Sequence, residues 1–340
     1  MHCSTDSHRQ RTSGLSEPAI LQLLAEAAQL GAKKVAFSGG EPLLVPFLPK
    51  LLSAASSLGI RSSVYTCGAV DNDLTPLSVN TAIQLRQSGL DRLILSVYSA
   101  DPELHNSITR YRSFGTTVLA LQNAMAADLS VEIHFVAMRR NYRALSKLVD
   151  EAGRWGVKRI SVLRFVPHGR GKSIAEREDL TVDEMRELRT LILAAREKHP
   201  EMNIRAGSPY NILGIGHTPC DAAQEVLVVN HRGEIFPCDA FKNVSVTDEQ
   251  YGNVLQSSLQ SVWQRSRFLN MVRSELDAGP GPVCGSCDEF SGCQSGCLAQ
   301  KVIRDGWGAN AVPDPSCLVQ IAGVQTTSQA IQQFASAETR

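Results

Sequence analysis

The 340-residue sequence has neither a long apolar run nor an excess of one charge. Its 34 basic and 34 acidic residues balance, and no Lys/Arg block stands out, which disfavours nucleic acid and anionic membrane surfaces as partners. No apolar run approaches the ~18 residues that a membrane-spanning helix needs. The first residues also lack the apolar segment of a signal peptide. These absences predict a cytoplasmic protein that has no nucleic-acid partner and no membrane partner.

The sequence contains nine cysteines, an unusually large number for a protein expected in the cytoplasm. Because the cytosol keeps thiols reduced, metal ligation or catalysis explains them better than a disulfide framework does. Seven lie in a Gly- and Ser-rich second half: Cys220, Cys238, Cys284, Cys287, Cys293, Cys297 and Cys317. Four cysteines per centre suit either zinc or an iron–sulfur cluster. Zinc ribbons normally pair two C-x2-C knuckles and this stretch has one, so an iron–sulfur centre is favoured and zinc remains the alternative.

The first 200 residues alternate between helix and strand patterns. A helix begins at Ser16, and five strands are predicted: near Val35 and over 63–66, 93–97, 131–137 and 159–163. This alternation indicates βαβ units and a parallel sheet. After Pro200 Gly and Pro become frequent and the cysteines concentrate. We therefore predict a core over 1–210, a cysteine-rich domain over 211–325 and a tail over 326–340.

The motif Gly39-Gly40-Glu41-Pro42 follows the first predicted strand. Glycines allow a ligand to approach the backbone closely, and Glu41 places a carboxylate at the carboxyl end of the strand, where α/β folds bind ligands. An ordinary turn between strand and helix is the alternative interpretation of these four residues.

The cysteine spacing resembles the SPASM signature of radical S-adenosylmethionine (radical SAM) enzymes. Cys220, Gly233 and Cys238 match its first part, and the run C-x2-C-x5-C-x3-C from Cys284, with Cys317 after a gap, matches the rest. Gly39-Gly40-Glu41-Pro42 is similar to the GGEP motif of the radical SAM core. The resemblance covers nearly the whole chain. It implies an α/β fold, a partial (β/α)6 TIM-like barrel lacking its first strand, followed by a SPASM iron–sulfur domain.

The resemblance also implies the ligands of two auxiliary [4Fe–4S] clusters. One cluster would use Cys284, Cys287, Cys293 and Cys317. The other would use Cys220, Cys238 and Cys297, and its fourth position would be open for substrate or held by a non-cysteine ligand. Asp239, directly after Cys238, would be a catalytic base that deprotonates substrate, with a turn residue or a helix cap as the alternative.

A third [4Fe–4S] cluster, which binds S-adenosylmethionine, needs a C-x3-C-x2-C motif in this family. The chain has Cys3 alone, with His2 at the position that packs against adenine. We therefore expect that Met1 is an internal methionine of a chain truncated at its front, and that the chain as given does not assemble a normal catalytic cluster. Ser96 and Arg110 resemble the residues that hold the methionyl carboxylate, with a strand-end hydroxyl and a surface cation as the alternatives. Gly39, Gly40, Glu41 and Pro42 would bind the cofactor as the GGEP motif.

The implied function is that of a maturase-type radical SAM enzyme. S-adenosylmethionine is cleaved reductively, and the deoxyadenosyl radical abstracts a hydrogen atom from a peptide or protein substrate. An electron donor such as flavodoxin or ferredoxin would supply the electron. The alternatives are a radical SAM enzyme acting on a small molecule such as a haem precursor, or, if the truncation is real, a non-catalytic iron–sulfur protein for electron transfer or binding.

Overall fold

The computed structural model describes residues 14–167, 169–242, 244, 252–308 and 312–319. The predicted site residues His2 and Cys3 and the predicted tail over 326–340 lie outside the described residues. No helix in the described ranges is long and apolar enough to cross a membrane.

Six parallel strands form one sheet in chain order: β1 (Lys34–Phe37), β2 (Arg61–Thr66), β3 (Leu90–Ser96), β4 (Ser130–Ala137), β5 (Arg159–Arg164) and β6 (Asn203–Ala206). The α/β fold predicted from the alternation is confirmed. The predicted count of five strands is one too few, because β6 is short and two of its four residues are polar, so it carries no clear strand pattern.

Eight helices connect or flank these strands within the first 200 residues: α1 (Glu17–Gln29), α2 (Leu48–Ser57), α3 (Val79–Gln87), α4 (Pro102–Thr109), α5 (Phe114–Ala126), α6 (Leu145–Arg154), α7 (Ala175–Glu178) and α8 (Val182–Lys198). Ser16 caps α1 as predicted, its side chain accepting a hydrogen bond from the Ala19 amide. Thr181 and Glu184 form a reciprocal capping box at the start of α8. These local caps explain why both helices begin where they do.

The two faces of the sheet differ in chemistry because side chains alternate along each strand. One face carries buried apolar residues such as Val64, Leu93, Phe135 and Val162, which pack with residues of α2, α3, α5, α6 and α8 in one core. The opposite face, here called the inner face, carries Ile94 and Leu163 among a larger set of polar residues: Ser63, Tyr65, Arg92, Glu132, His134, Ser161 and Arg205. Polar side chains of neighbouring strands are thus grouped on the face opposite the helices.

The cysteine-rich region contains a two-stranded antiparallel sheet, β7 (Val228–Val229) with β8 (Ile235–Phe236). Its helices are α9 (Leu259–Arg265), α10 (Arg267–Asp277), α11 (Pro282–Gly285), α12 (Phe290–Cys293) and α13 (Leu298–Asp305). A separate apolar core includes Phe236, Phe241 and Phe268. Trp307 stacks on Phe241 at 6.3 Å between ring centroids. This region has its own core, and the boundary predicted near residue 210 stays a prediction.

Candidate cofactor and iron–sulfur site

The Glu41 carboxylate joins the ends of β1 and β2. It accepts hydrogen bonds from the Leu43 amide (3.1 Å), the Thr66 hydroxyl (2.6 Å) and the Cys67 amide (2.8 Å). An ionised carboxylate has about four acceptor positions. Three donors therefore fix the orientation of Glu41 and leave acceptor capacity for one cationic group of a ligand, such as an amine.

The two glycines before Glu41 differ in what they contribute. Gly39 has φ +129°, a backbone conformation that L side chains rarely adopt. Gly40 has no such constraint, and a Cβ placed there would meet no described atom within 4 Å. Pro42 is buried and begins a 3₁₀ turn over Pro42–Leu44. Open space next to a fixed carboxylate fits the predicted cofactor motif.

Ser96 and Arg110 flank helix α4. Ser96 ends β3 and is half-buried, whereas Arg110 is exposed and caps α4 with φ +63°. Within the described part of the chain, neither the Ser96 hydroxyl nor the Arg110 guanidinium makes a hydrogen bond or ion pair, and none joins the two. Both polar groups are available to a ligand, but their predicted pairing on one carboxylate stays a prediction.

His105, within helix α4, connects this helix to the residues on either side of it. Its Nδ1 accepts from the Tyr98 amide at 3.4 Å, and its Nε2 lies 3.3 Å from the Ser113 hydroxyl. The ring is buried, and burial lowers the pKa of His105 to about 4. A neutral imidazole therefore ties α4 to the loop after β3 and to the start of α5.

Four cysteines form what we call the first cysteine group: Cys284, Cys287, Cys293 and Cys317. Burial raises the pKa of Cys293 to about 11, and the charges of Cys317 and Cys284 add to the rise. Burial also raises the pKa of Cys317, with the charges of Cys284 and Cys287 contributing. Each thiol of this group is therefore within electrostatic reach of another.

The other three cysteines form the second cysteine group: Cys220, Cys238 and Cys297. Burial raises the pKa of Cys238, and the charges of Cys297 and Cys220 add to the rise. Burial raises the pKa of Cys297 to about 11; Arg164 opposes the rise and Asp314 and Cys220 add to it. The thiols whose charges act on one another are thus neighbours within the sets that the resemblance implies, and the assignment of ligands to two clusters stays a prediction.

The donor chemistry of both groups fits iron–sulfur clusters. All seven thiols are free of disulfide bonds, and four plus three thiolates match two clusters of which one has a ligand that is not cysteine. Among the described side chains, no three His, Cys, Asp or Glu lie close enough to hold one metal ion. Such spacing is expected where each thiolate binds a different iron atom.

Asp239 is the predicted base beside the second cysteine group. It follows Cys238, its side chain is exposed, and it forms an ion pair with Lys242. Its charge also reaches Tyr65 of β2, because burial first and Asp239 next raise the pKa of that phenol to about 12. The predicted base is therefore near the surface on which a substrate would lie.

The inner face contains a polar network that was not predicted from the sequence. Glu132 accepts hydrogen bonds from Arg92 (2.9 Å), Ser161 (2.6 Å) and His134 (3.3 Å). Although burial opposes it, hydrogen bonds from His134 and Ser161 lower the pKa of Glu132 to about 2. Polar residues at every second position of neighbouring strands, such as Glu132 and His134, are the signal that would have found this network.

Comparisons with known proteins agree with this geometry. Residues 1–161 match the family described as the Radical SAM superfamily, and residues 220–288 match SPASM, an iron–sulfur cluster-binding domain. The SPASM match covers Cys220, Cys238, Cys284 and Cys287 and is to an iron–sulfur cluster-binding domain, so it supports iron–sulfur clusters over the zinc alternative.

Curated relatives cover most of the chain. The mycofactocin maturase MftC of Mycobacterium tuberculosis (strain H37Rv) is 26% identical over 94% of this chain and 79% of its own. The PqqA peptide cyclase of Rhizobium meliloti is 28% identical over 87% of this chain and 76% of its own.

Solved structures share the fold. Streptococcus suis SuiB bound to its precursor peptide SuiA superposes with a TM-score of 0.75 at 19% identity, over 93% of this chain and 72% of SuiB. The structure of anSMEcpe with bound AdoMet gives a TM-score of 0.69 at 17% identity, over 92% of this chain and 88% of anSMEcpe. The two domains imply [4Fe–4S] clusters and S-adenosylmethionine as cofactors. The chain carries a radical SAM domain, matched over residues 1–161, and a SPASM domain, matched over residues 220–288.

Proposed function

We propose that this protein is a radical SAM/SPASM maturase that abstracts a hydrogen atom from a peptide or protein substrate. The observation that carries the proposal is the presence in one chain of a radical SAM match over residues 1–161 and a SPASM match over residues 220–288. The peptide-directed names of the relatives support a peptide or protein over a haem precursor or other small molecule. They also support an enzyme over a non-catalytic iron–sulfur protein.

When bound, S-adenosylmethionine supplies the deoxyadenosyl radical after reductive cleavage at its cluster. Glu41 would accept the methionyl amino group in its remaining acceptor position, since three donors already orient it. Ser96 and Arg110 would hold the methionyl carboxylate, a guanidinium being a bidentate donor to that group. The open backbone at Gly40 would let the cofactor approach β1 closely. His2 would pack against the adenine, and Cys3 would be one of the three cysteine ligands of the cluster that binds S-adenosylmethionine.

Asp239 would act as the base that takes a proton from the substrate. A base must reach the proton it removes, and an exposed carboxylate next to the inner face meets that condition. Lys242, whose side chain is largely buried, holds the carboxylate through an ion pair. The polar inner face would orient substrate through groups such as the Tyr65 hydroxyl and the Arg205 guanidinium.

The first cysteine group would ligate one auxiliary cluster fully, and the second would leave one position to substrate or to a ligand other than cysteine. The electron would come from a small carrier such as flavodoxin or ferredoxin. A cytoplasmic location is proposed because thiol ligands stay reduced there.

Deuterium tracing tests the proposal. The protein, with its C-x3-C-x2-C motif completed ahead of Met1, is reconstituted anaerobically and given S-adenosylmethionine, dithionite and extract from cells grown in deuterated medium, separated into peptide and small-molecule fractions. We expect 5′-deoxyadenosine that carries deuterium from the peptide fraction, detected by mass spectrometry. Deuterium from the small-molecule fraction would instead support a radical SAM enzyme that acts on a small molecule. A Cys3→Ala variant is the control, because it should keep its auxiliary iron and release no 5′-deoxyadenosine.

A further inference from the structure

A buried ion pair joins the barrel to the SPASM domain. Arg164, the last residue of β5, donates from Nη1 to Oδ2 of Asp314 and from Nη2 to Oδ1, each at 2.8 Å. The side chains are 2% and 1% exposed. Arg164 also donates to the Ser316 hydroxyl at 2.9 Å and to the Pro209 carbonyl at 3.2 Å. A bidentate pair of this kind fixes orientation as well as distance.

Asp314 in turn contacts the backbone of both cysteine groups. Its Oδ2 accepts the amide of Cys297, in the second group, at 2.9 Å. Its carbonyl accepts the amide of Cys317, in the first group, at 3.0 Å. A Cβ at Gly296 would lie 2.5 Å from Asp314 Oδ2, so glycine allows the carboxylate to reach this loop. Asp314 therefore connects both groups to the end of β5, through its carboxylate to Cys297 and through its backbone carbonyl to Cys317.

The charges of the pair lie beside the predicted cluster ligands, because the Asp314 carboxylate accepts the amide of Cys297 and Asp314 is three residues before Cys317. Buried Lys301, whose Nζ donates to the Ser295 hydroxyl at 3.0 Å, adds a second cation near Cys297. Charges and hydrogen bonds around cluster ligands set reduction potentials.

We propose that Arg164 and Asp314 are positioning residues for both auxiliary clusters. The pair fixes the clusters relative to each other and to β5, and its opposite charges balance each other beside the ligands. The inference rests on the iron–sulfur clusters of the SPASM domain and not on the peptide substrate under "Proposed function". It can therefore fail while the maturase proposal stands.

The charge effect is tested by redox titration of reconstituted protein, followed by EPR. In Asp314→Asn the guanidinium stays protonated without its counter-ion, so we expect a more positive potential for an auxiliary cluster. Arg164→Met removes the cation and should give no positive shift. Equal shifts of the reduction potential with the same sign in both variants would overturn the proposed charge effect. No shift in either variant, with iron fully retained, would also overturn it.

The positioning effect is tested with Arg164→Lys, which keeps the charge and is therefore the variant most certain to fold. An ammonium lacks the fork of the guanidinium, so we expect full iron content and an altered spin–spin coupling between the two reduced clusters. Coupling identical to that of the unmodified protein would overturn the positioning role. Arg143→Lys is the matched control, because Arg143 forms a bidentate pair with Glu187 on an exposed surface. It should change neither coupling nor potential.

Discussion

Tyr65 of β2 and His134 of β4 meet edge to face, with ring centroids 5.0 Å apart, although β3 lies between their strands. The two rings cover the inner face where Ser96 ends β3 and pairs in register with His134. His134 also donates to Glu132. The inner face is thus a connected polar surface from β2 to β5, on which a substrate would find both aromatic and hydrogen-bonding groups.

Replacing Glu41 tests the cofactor motif. Glu41→Gln should weaken binding of S-adenosylmethionine by about 10- to 100-fold, because a charge-assisted hydrogen bond contributes about 1.5–3 kcal/mol. Thr66→Val is the matched control, since it removes a hydroxyl that orients Glu41 and keeps the carboxylate. Binding measured by equilibrium dialysis should fall less for Thr66→Val. Equal losses in both variants would argue that Glu41 only braces the loop.

Asp239→Asn should separate cofactor cleavage from substrate modification. The variant keeps the cysteines and the cofactor motif, so 5′-deoxyadenosine should still form, while modified product falls by about 10²-fold or more, the usual size of general-base catalysis. Liquid chromatography of both products measures the ratio. A parallel fall of both would place Asp239 in cluster assembly. Lys242→Met, which leaves the carboxylate in place, should give an intermediate product yield.

The two cysteine groups should load iron independently. Cys293→Ser is expected to lose about four irons of the first group, and Cys238→Ser about four of the second, since each cluster contains four irons. Cys67→Ser is the control, because Cys67 lies near Glu41 and has no cysteine among the charges that act on it. Iron and sulfide quantitation after anaerobic reconstitution measures how many irons each variant has lost. Loss of all iron from either group variant would contradict the division.

His105 should make the barrel less stable in mild acid. Its folded pKa of about 4 lies below the ordinary 6.5, so the unfolded chain binds more protons between these values and stability falls as pH decreases through this window. From pH 6.5 to 5 the loss from this group is about 2 kcal/mol, at 1.36 kcal/mol per pH unit. His105→Gln should remove that part of the pH dependence in denaturant titrations. An unchanged slope would contradict the assignment.

Local patterns predicted much of the α/β framework and its caps. The helix at Ser16 and the strands over 63–66 and 131–137 depend on apolar periodicity and capping, which are properties of neighbouring residues. β6 and helix α4 were not predicted, because both are short and polar in part. Short elements depend on packing against the rest of the fold rather than on their own propensity.

Residues of the candidate site that belong to short sequence motifs were predicted. Contacts between residues far apart in the sequence were not predicted. The division of the cysteines came from the resemblance, and neighbouring charges in the structure agree with it. The Arg164–Asp314 pair joins residues 150 positions apart, so no local spacing indicates it. The alternation of Glu132 and His134 indicates a polar face of β4, but the partners of Glu132 on β3 and β5 depend on the strand register, which one sequence does not reveal.

The ion pair between Arg164 and Asp314 limits how the two domains can be exchanged. A barrel separated from its SPASM domain would lose the ion pair and would expose Leu23 and Val166, which pack against the core of that domain. A hybrid with the SPASM domain of a relative would bury the guanidinium without its carboxylate, at a cost of about 3–5 kcal/mol, unless that domain supplied an equivalent acid. In this protein the cluster domain is thus a structural part of the barrel rather than a transferable module.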